Sequence, residues 1–157
     1  MKINVDAAIS KNMNRAPTAA IVGDGGGQFL GASALVVEGC ADPETMEAVA
    51  CREGLALASD LMLQRFKLAS DCESVVRSIR GEGRGSYGQI VKEIKDRASV
   101  FESCIIVHEG RSSNRDAHIL AKSSVYFEVG RQVRLLVPPA GICNSVMKGG
   151  GSLKKKK

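Results

Sequence analysis

The sequence holds no uninterrupted apolar run of about 18 residues, the length a membrane-spanning helix requires. Its first ten residues, MKINVDAAIS, lack the long apolar stretch of a secretory signal. The expectation is a protein that neither crosses a membrane nor is secreted, with an intracellular location, cytoplasmic or nuclear. No Cys-x-x-Cys pair is present to begin a zinc site or a redox motif, and the five cysteines (Cys40, Cys51, Cys72, Cys104, Cys143) are odd in number and widely spaced. They read as small, mostly buried thiols in a reducing compartment. Proline is scarce, with 4 residues in 157, and there is no internal repeat. With 44% apolar and 25% charged residues, the composition is that of an ordinary globular chain whose length suits one domain, expected to be monomeric.

A formal charge of +5 ordinarily suggests an anionic partner. Here its location decides otherwise. Lys148 and Lys154, Lys155, Lys156 and Lys157 supply five positive charges with no acid after Met147, so residues 1–147 sum to zero. The ending GGGSLKKKK has the composition of a Gly/Ser linker followed by a lysine run. The organisation read from the sequence is a folded unit over 1–130, an extended segment over 131–147 and a disordered tail over 148–157.

Ile3, Val5, Ala7 and Ile9 alternate on one face of a strand over 2–9, which puts Asp6 on the other face. Strands over 19–22 and 28–37 are joined by the Gly23–Gly27 turn, where positive φ costs little. No Gly-Lys-Ser/Thr follows those glycines and a strand comes next, so they are a turn rather than a phosphate loop. Asp42-Pro43 is a cap followed by proline at the first helical position, and Met46, Val49, Ala50, Leu57 and Leu61 continue a helix over 43–63. A strand over 65–70, a helix over 72–79, a loop over 81–85, a helix over 87–98, a strand over 104–107 and a helix over 114–127 follow. Residues 135–142, with Pro138-Pro139, read as an extended segment lying on the surface. The order βββ-α-β-α-α-β-α predicts an α/β fold with a mixed five-stranded sheet, three antiparallel strands and then βα units, with helices on its faces.

Four chemistry-bearing side chains stand on four different elements: Asp6 in the first strand, Glu47 one turn into the long helix, Asp71 at the end of the fourth strand and His118 near the start of the last helix. Ligands of open α/β sheets bind beyond the strand ends where the strand order reverses, and a first strand flanked by the second and the fourth makes such a point. Three carboxylates gathered there repel one another unless cations neutralise them, and hard oxygen ligands select Mg²⁺ or Mn²⁺. Two such ions suit in-line displacement at a phosphodiester. Taken one at a time, Asp71 reads equally as a helix cap and Glu47 as a first-turn acid, whereas a mid-strand Asp6 is costly if buried without a partner.

KINVDAA, IVGDGGGQFLGA, ETMEAVACREGLALA, LASDCESVV and RSSNRDAHILAK, in this order, resemble the type 1 ribonuclease H fold. The resemblance is closest to the plant ribonuclease-H-like domains related to retroelement reverse transcriptases. It covers about residues 2–128, and VRLLVPPAGI is similar to the tail of the plant members. It implies a metal-dependent endonuclease that hydrolyses the RNA strand of an RNA–DNA hybrid with two ions of Mg²⁺ or Mn²⁺. Asp6 would bridge the ions, Asp71 would serve the nucleophile side and Glu47 the leaving-group side. His118 stands at the family's fourth carboxylate position, where an imidazole offers one nitrogen in place of a charged pair of oxygens and favours Mn²⁺. His108 matches a mobile histidine that shuttles protons, and Ala7, Glu73 and Asn114 fall at positions facing the substrate.

Three departures from that pattern bear on activity. Ala7 stands where glycine is frequent after the first aspartate, and Glu73 puts a charge where an uncharged donor can face the hybrid. The stretch from Arg80 to Ser86 is too short for a basic, tryptophan-bearing protrusion, and the sequence has no tryptophan. A body of zero net charge predicts weak, salt-sensitive binding of nucleic acid. The alternative reading is therefore a domesticated retroelement domain that binds nucleic acid or a protein partner with little or no cleavage.

Overall fold

The computed structural model describes residues 1–39, 42–81, 87–135, 137, 138 and 141. The expected loop after Gly81, most of the 135–142 segment, Cys40, Cys143 and the whole lysine-rich tail lie outside them. Strands β1 (Lys2–Ala7), β2 (Arg15–Gly23) and β3 (Phe29–Glu38) form an antiparallel meander. Helix α1 (Pro43–Asp60) leads to β4 (Arg65–Ser70), and α2 (Glu73–Arg80) and α3 (Gly88–Ala98) lead to β5 (Ser103–His108). Helix α4 (Arg115–Ser123) and β6 (Gly130–Leu135) complete the described part. The sheet order is β5-β4-β1-β2-β3-β6, with β4 parallel to both β1 and β5. The strand order thus reverses at β1, as the sequence predicted.

The expected five strands are six. Gly130–Leu135 pairs antiparallel with β3, where the sequence suggested an extended surface segment beginning near residue 131. GRQVRL carries too little apolar alternation to signal a strand, because an edge strand needs no buried face. On the face that also carries Val133 and Leu135, Arg131, opposite Leu35, bonds the buried Glu53 and, at 2.5 Å, Asp60 on α1. Burial holds the Glu53 carboxyl above its ordinary range even with this arginine beside it.

Other boundaries moved for local reasons. Strand β2 begins four residues earlier than expected and takes in Pro17, whose carbonyl accepts from Ala8 at 2.9 Å. The donor that proline lacks would face β1 just past its last residue, so the β3 ladder loses nothing. Helix α1 ends at Asp60, three residues early, because Met62 adopts φ +55° and Leu63 N–H returns to the Ala58 carbonyl at 3.0 Å. That ending normally falls to glycine, and an exposed methionine gives no such signal. The N-terminus matches expectation, with Asp42 accepting from Thr45 N–H at 3.4 Å. The last helix is also shorter than 114–127, since Ser124–Tyr126 continues as a 3-10 turn.

Alternation along the strands divides the core. Ile3, Val5, Ala20, Val22 and Leu68 meet Leu55, Leu57, Val75, Val91 and Ile94 of α1–α3 on one face. Ala19, Ile21, Phe29 and Ala32 meet Leu120 and Ala121 of α4 on the other. Helix α1 lies so close to the sheet at Gly54 that a β-carbon there would stand 2.8 Å from both Leu68 Cδ1 and Val5 Cγ1. Because both neighbours are fully buried and cannot step aside, Gly54→Ala is expected to cost roughly 1–3 kcal/mol, despite its better helix propensity. Urea unfolding should show a lower midpoint at unchanged slope; a midpoint equal to wild type would contradict this close packing.

Candidate metal centre at the end of the central strands

The parallel ladder between β1 and β4 pairs Val5 with Ser70. The next residue of each strand, Asp6 and Asp71, therefore emerges side by side at the C-terminal ends. Helix α1 packs on β1 and β2 and brings Glu47 from its second turn over the same spot. One carboxylate oxygen from each of Asp6, Glu47 and Asp71 lies within 4.8 Å of the others. Three elements separated in sequence thus converge as expected, with Asp6 buried and the other two half-buried.

The electrostatics of this cluster are those of like charges out of water. Burial, then the charges of Asp6 and Asp71, push the Glu47 carboxyl up to about 9, so that it keeps its proton and hydrogen-bonds Asp6. The Ala7 backbone opposes the shift by hydrogen-bonding Glu47. Asp71 is also raised, by burial and by Asp6, against the opposing pull of Arg111 (3.8 Å), Asn114 and His118. Glu47 Oε1 is buried and has no hydrogen-bond partner among the described residues. An orphaned carboxylate oxygen amid two further carboxylates is a donor set for a hard divalent cation, which would replace the proton and satisfy the oxygen. Asp6, Glu47 and Asp71 are the residues that fit such an ion.

His118 stands one turn into α4, with Nδ1 2.8 Å from Asp6 Oδ2. It joins the cluster through Asp6. Asn114, expected at the substrate, is buried just ahead of α4 and donates from Nδ2 to the Val5 carbonyl at 2.9 Å. It also hydrogen-bonds Asp71. Its contacts therefore fix the entrance of α4 to the strand residue that precedes Asp6. Ala7 presents its backbone to Glu47, while Glu73 is exposed on the first turn of α2 and pairs with Arg77 at 3.4 Å. His108 ends β5, exposed and opposite Ser70, and is not a member of the carboxylate cluster.

Sequence reasoning passed over three supports. Asn4 donates to the Ser113 carbonyl, tying the turn before α4 to β1. Buried Ser70 accepts from Cys72 N–H at 3.1 Å and so shapes the bend that presents Asp71. Arg111 approaches Asp71 from an exposed 3-10 turn. Only Ser70 had a local signal, a serine two residues before the backbone donor it caps; the other two partners are more than 35 residues away in the chain.

Comparison with known proteins agrees with this architecture. The chain resembles the RNase H1 of the archaeon Halobacterium salinarum at 21% identity and a TM-score of 0.67, over 79% of this chain and 96% of the other. The N-terminal RNase H domain of a Mycobacterium tuberculosis protein gives 21% identity and a TM-score of 0.69, over 79% and 93%. A compost-derived RNase H1, LC11, solved with an RNA/DNA hybrid gives 18% identity and a TM-score of 0.68, over 79% and 95%. The foamy viral protease-reverse transcriptase, also solved with a hybrid, gives 17% identity and a TM-score of 0.62, over 81% of this chain and 20% of that one. No curated protein sequence matches the chain. The family model described as reverse transcriptase-like matches residues 4–124. With a six-stranded mixed sheet, the shared fold and that match, the chain belongs to the reverse-transcriptase-like family of ribonuclease-H-like domains.

Proposed function

We propose that this domain is a divalent-metal-dependent endonuclease acting on the RNA strand of RNA–DNA hybrids. The observation that carries the reading is the buried convergence of Asp6, Glu47 and Asp71 with an oxygen left unpartnered. Two of the structural relatives were solved with an RNA/DNA hybrid, which supports the choice of substrate. Asp6, Glu47 and Asp71 would hold two ions of Mg²⁺ or Mn²⁺, Asp6 shared between them, Asp71 on the nucleophile side and Glu47 on the leaving-group side. When bound, such ions activate water and stabilise the departing oxygen of a phosphodiester.

The protein's own groups prepare that chemistry. Glu47 must give up the proton it holds against Asp6, which its raised affinity for protons makes costly until positive charge arrives. Asn114 holds the Val5 carbonyl and steadies Asp6, and His118 orients the Asp6 carboxylate through Nδ1. His118 would also serve as the partial fourth ligand, where a single nitrogen favours Mn²⁺. On this reading His108, exposed at the end of β5, would shuttle protons, and Ala7 and Glu73 would border the path of the substrate.

A second reading has its own observation. His118 Nδ1 is already engaged by Asp6, so the fourth position is a hydrogen-bond partner before it is a ligand. On that reading the domain binds hybrids, or a protein partner, and cleaves poorly.

Three measurements separate these readings. Wild type should cleave a labelled hybrid at low salt, faster in Mn²⁺ than in Mg²⁺, and Asp71→Asn should remove the activity; hybrid binding with no cleavage in either metal would favour the binding module. His118→Asp restores a carboxylate and should raise the Mg²⁺-dependent rate about ten-fold; an unchanged or lower rate would acquit His118. Glu47 binds its proton more tightly in the folded state, about 9 against an ordinary 4.5, so the metal-free protein should lose stability as pH rises through that interval. Glu47→Gln should flatten this loss in thermal melts and abolish most of the Mn²⁺-induced rise in Tm at pH 8. A wild-type Tm insensitive to Mn²⁺ would count against a metal site.

A further inference from the structure

Between the chain that follows β1 and the end of α4, the elements that carry Asp6 and His118, lies a cleft of about 390 Å³. One wall is the turn after β1, with Ile9, Lys11 and Asn12; the other is the end of α4 and its 3-10 turn, with Lys122, Val125 and Tyr126. From Asp6 the first lining residue is two positions on, and from His118, Lys122 is four positions on, a rise of about 6 Å along the helix. The cleft therefore adjoins the end of β1 that carries Asp6 and the helix that carries His118.

Its chemistry is the opposite of theirs. Lys11 and Lys122 line it and, among the described residues, no acidic one does, in a body whose charges over 1–147 cancel. Arg15 stands behind the second wall and donates to the Val125 carbonyl at 3.0 Å and the Phe127 carbonyl at 2.7 Å, which fixes the turn that carries Tyr126. Tyr126 is 78% exposed, whereas Phe29, Phe66 and Tyr87 are buried and Phe101 and Phe127 half-buried. An exposed aromatic ring beside two lysines offers a hydrogen-bonding hydroxyl and a flat apolar face to the sugars of a strand whose phosphates the lysines hold.

We propose that this cleft is a nucleic-acid subsite: Lys11 and Lys122 bind a phosphate adjacent in the same strand to the one facing the carboxylates, and Tyr126 packs on the sugar of the nucleotide there. The subsite gives a neutral body a local attraction for polyanion beside three acids that repel it. This inference rests on the ribonuclease reading.

The test is equilibrium binding of a labelled RNA–DNA hybrid across a KCl series in EDTA, so that no cleavage intervenes. Lys11→Gln with Lys122→Gln should make the slope of log affinity against log salt shallower by about 0.7–0.9 for each phosphate no longer neutralised. Lys92→Gln, on α3, should leave it unchanged. Tyr126→Ala should weaken binding by about five-fold or more, and Tyr126→Phe should restore it. All variants should keep the wild-type rise of Tm with Mn²⁺, which shows the acid cluster intact. A wild type that binds with variants of equal slope and affinity overturns the subsite and leaves the ribonuclease reading standing. A wild type that does not bind the hybrid overturns both.

Discussion

Parallel pairing of β1 with β4 is the constraint on which the site depends. Because Val5 lies opposite Ser70, two aspartates 65 positions apart in sequence leave the sheet as neighbours. A one-residue slip in that register would send Asp6 and the apolar set Ile3 and Val5 to the wrong faces. The register is protected by burial, since Ile3, Val5 and Leu68 are fully enclosed beneath α1. The close approach at Gly54 completes the arrangement: it lets the helix lie low enough on the strands for Glu47 to reach the same point. Packing and chemistry are thus one design, with the core on one side of β1 and the acids at its end.

That design stores a conflict which function can use. Three carboxylates in a shielded cleft cannot all ionise without compensation, and the folded protein answers by retaining a proton on Glu47. The rest of the molecule supplies the stability that the cluster does not. Arg131 on β6 spans Glu53 and Asp60 and fastens the edge strand to α1, while Lys2 and Lys67 converge on Glu109 across β1, β4 and the end of β5. Asn114 contributes differently, by tying the start of α4 to β1 next to Asp6. The opposite face then presents His118 and Lys122 from one helix, an imidazole bonded to Asp6 followed by a lysine that lines the neighbouring cleft.

Most of the fold could be read from the chain. Period-2 alternation marked the meander, Asp42-Pro43 marked the start of α1, and turn residues separated the later elements. Failures occurred where a signal was carried by tertiary contacts. Strand β6 has only Val133 and Leu135 as an apolar stripe, beginning at an Arg131 that is satisfied by acids on a distant helix, and α1 stops at a methionine in a conformation usually given to glycine. The acid trio was legible because mid-strand Asp6 is anomalous in local terms. The roles of Asn4, Arg111 and Asn114 were not, since nothing near them in sequence distinguishes a structural tie from a surface polar group.

The sequence by itself determined the order of elements from β1 to α4, the reversal of strand order at β1 and the family, because these rest on local periodicity, capping and motifs in register. Only the tertiary structure decided that Glu47 carries an unpartnered buried oxygen, that His118 spends its Nδ1 on Asp6, and that Lys11, Lys122 and Tyr126 share one cleft. Those facts depend on distances between groups that are remote in the chain. Burial and charge proximity act through space, and no spacing along the sequence encodes them.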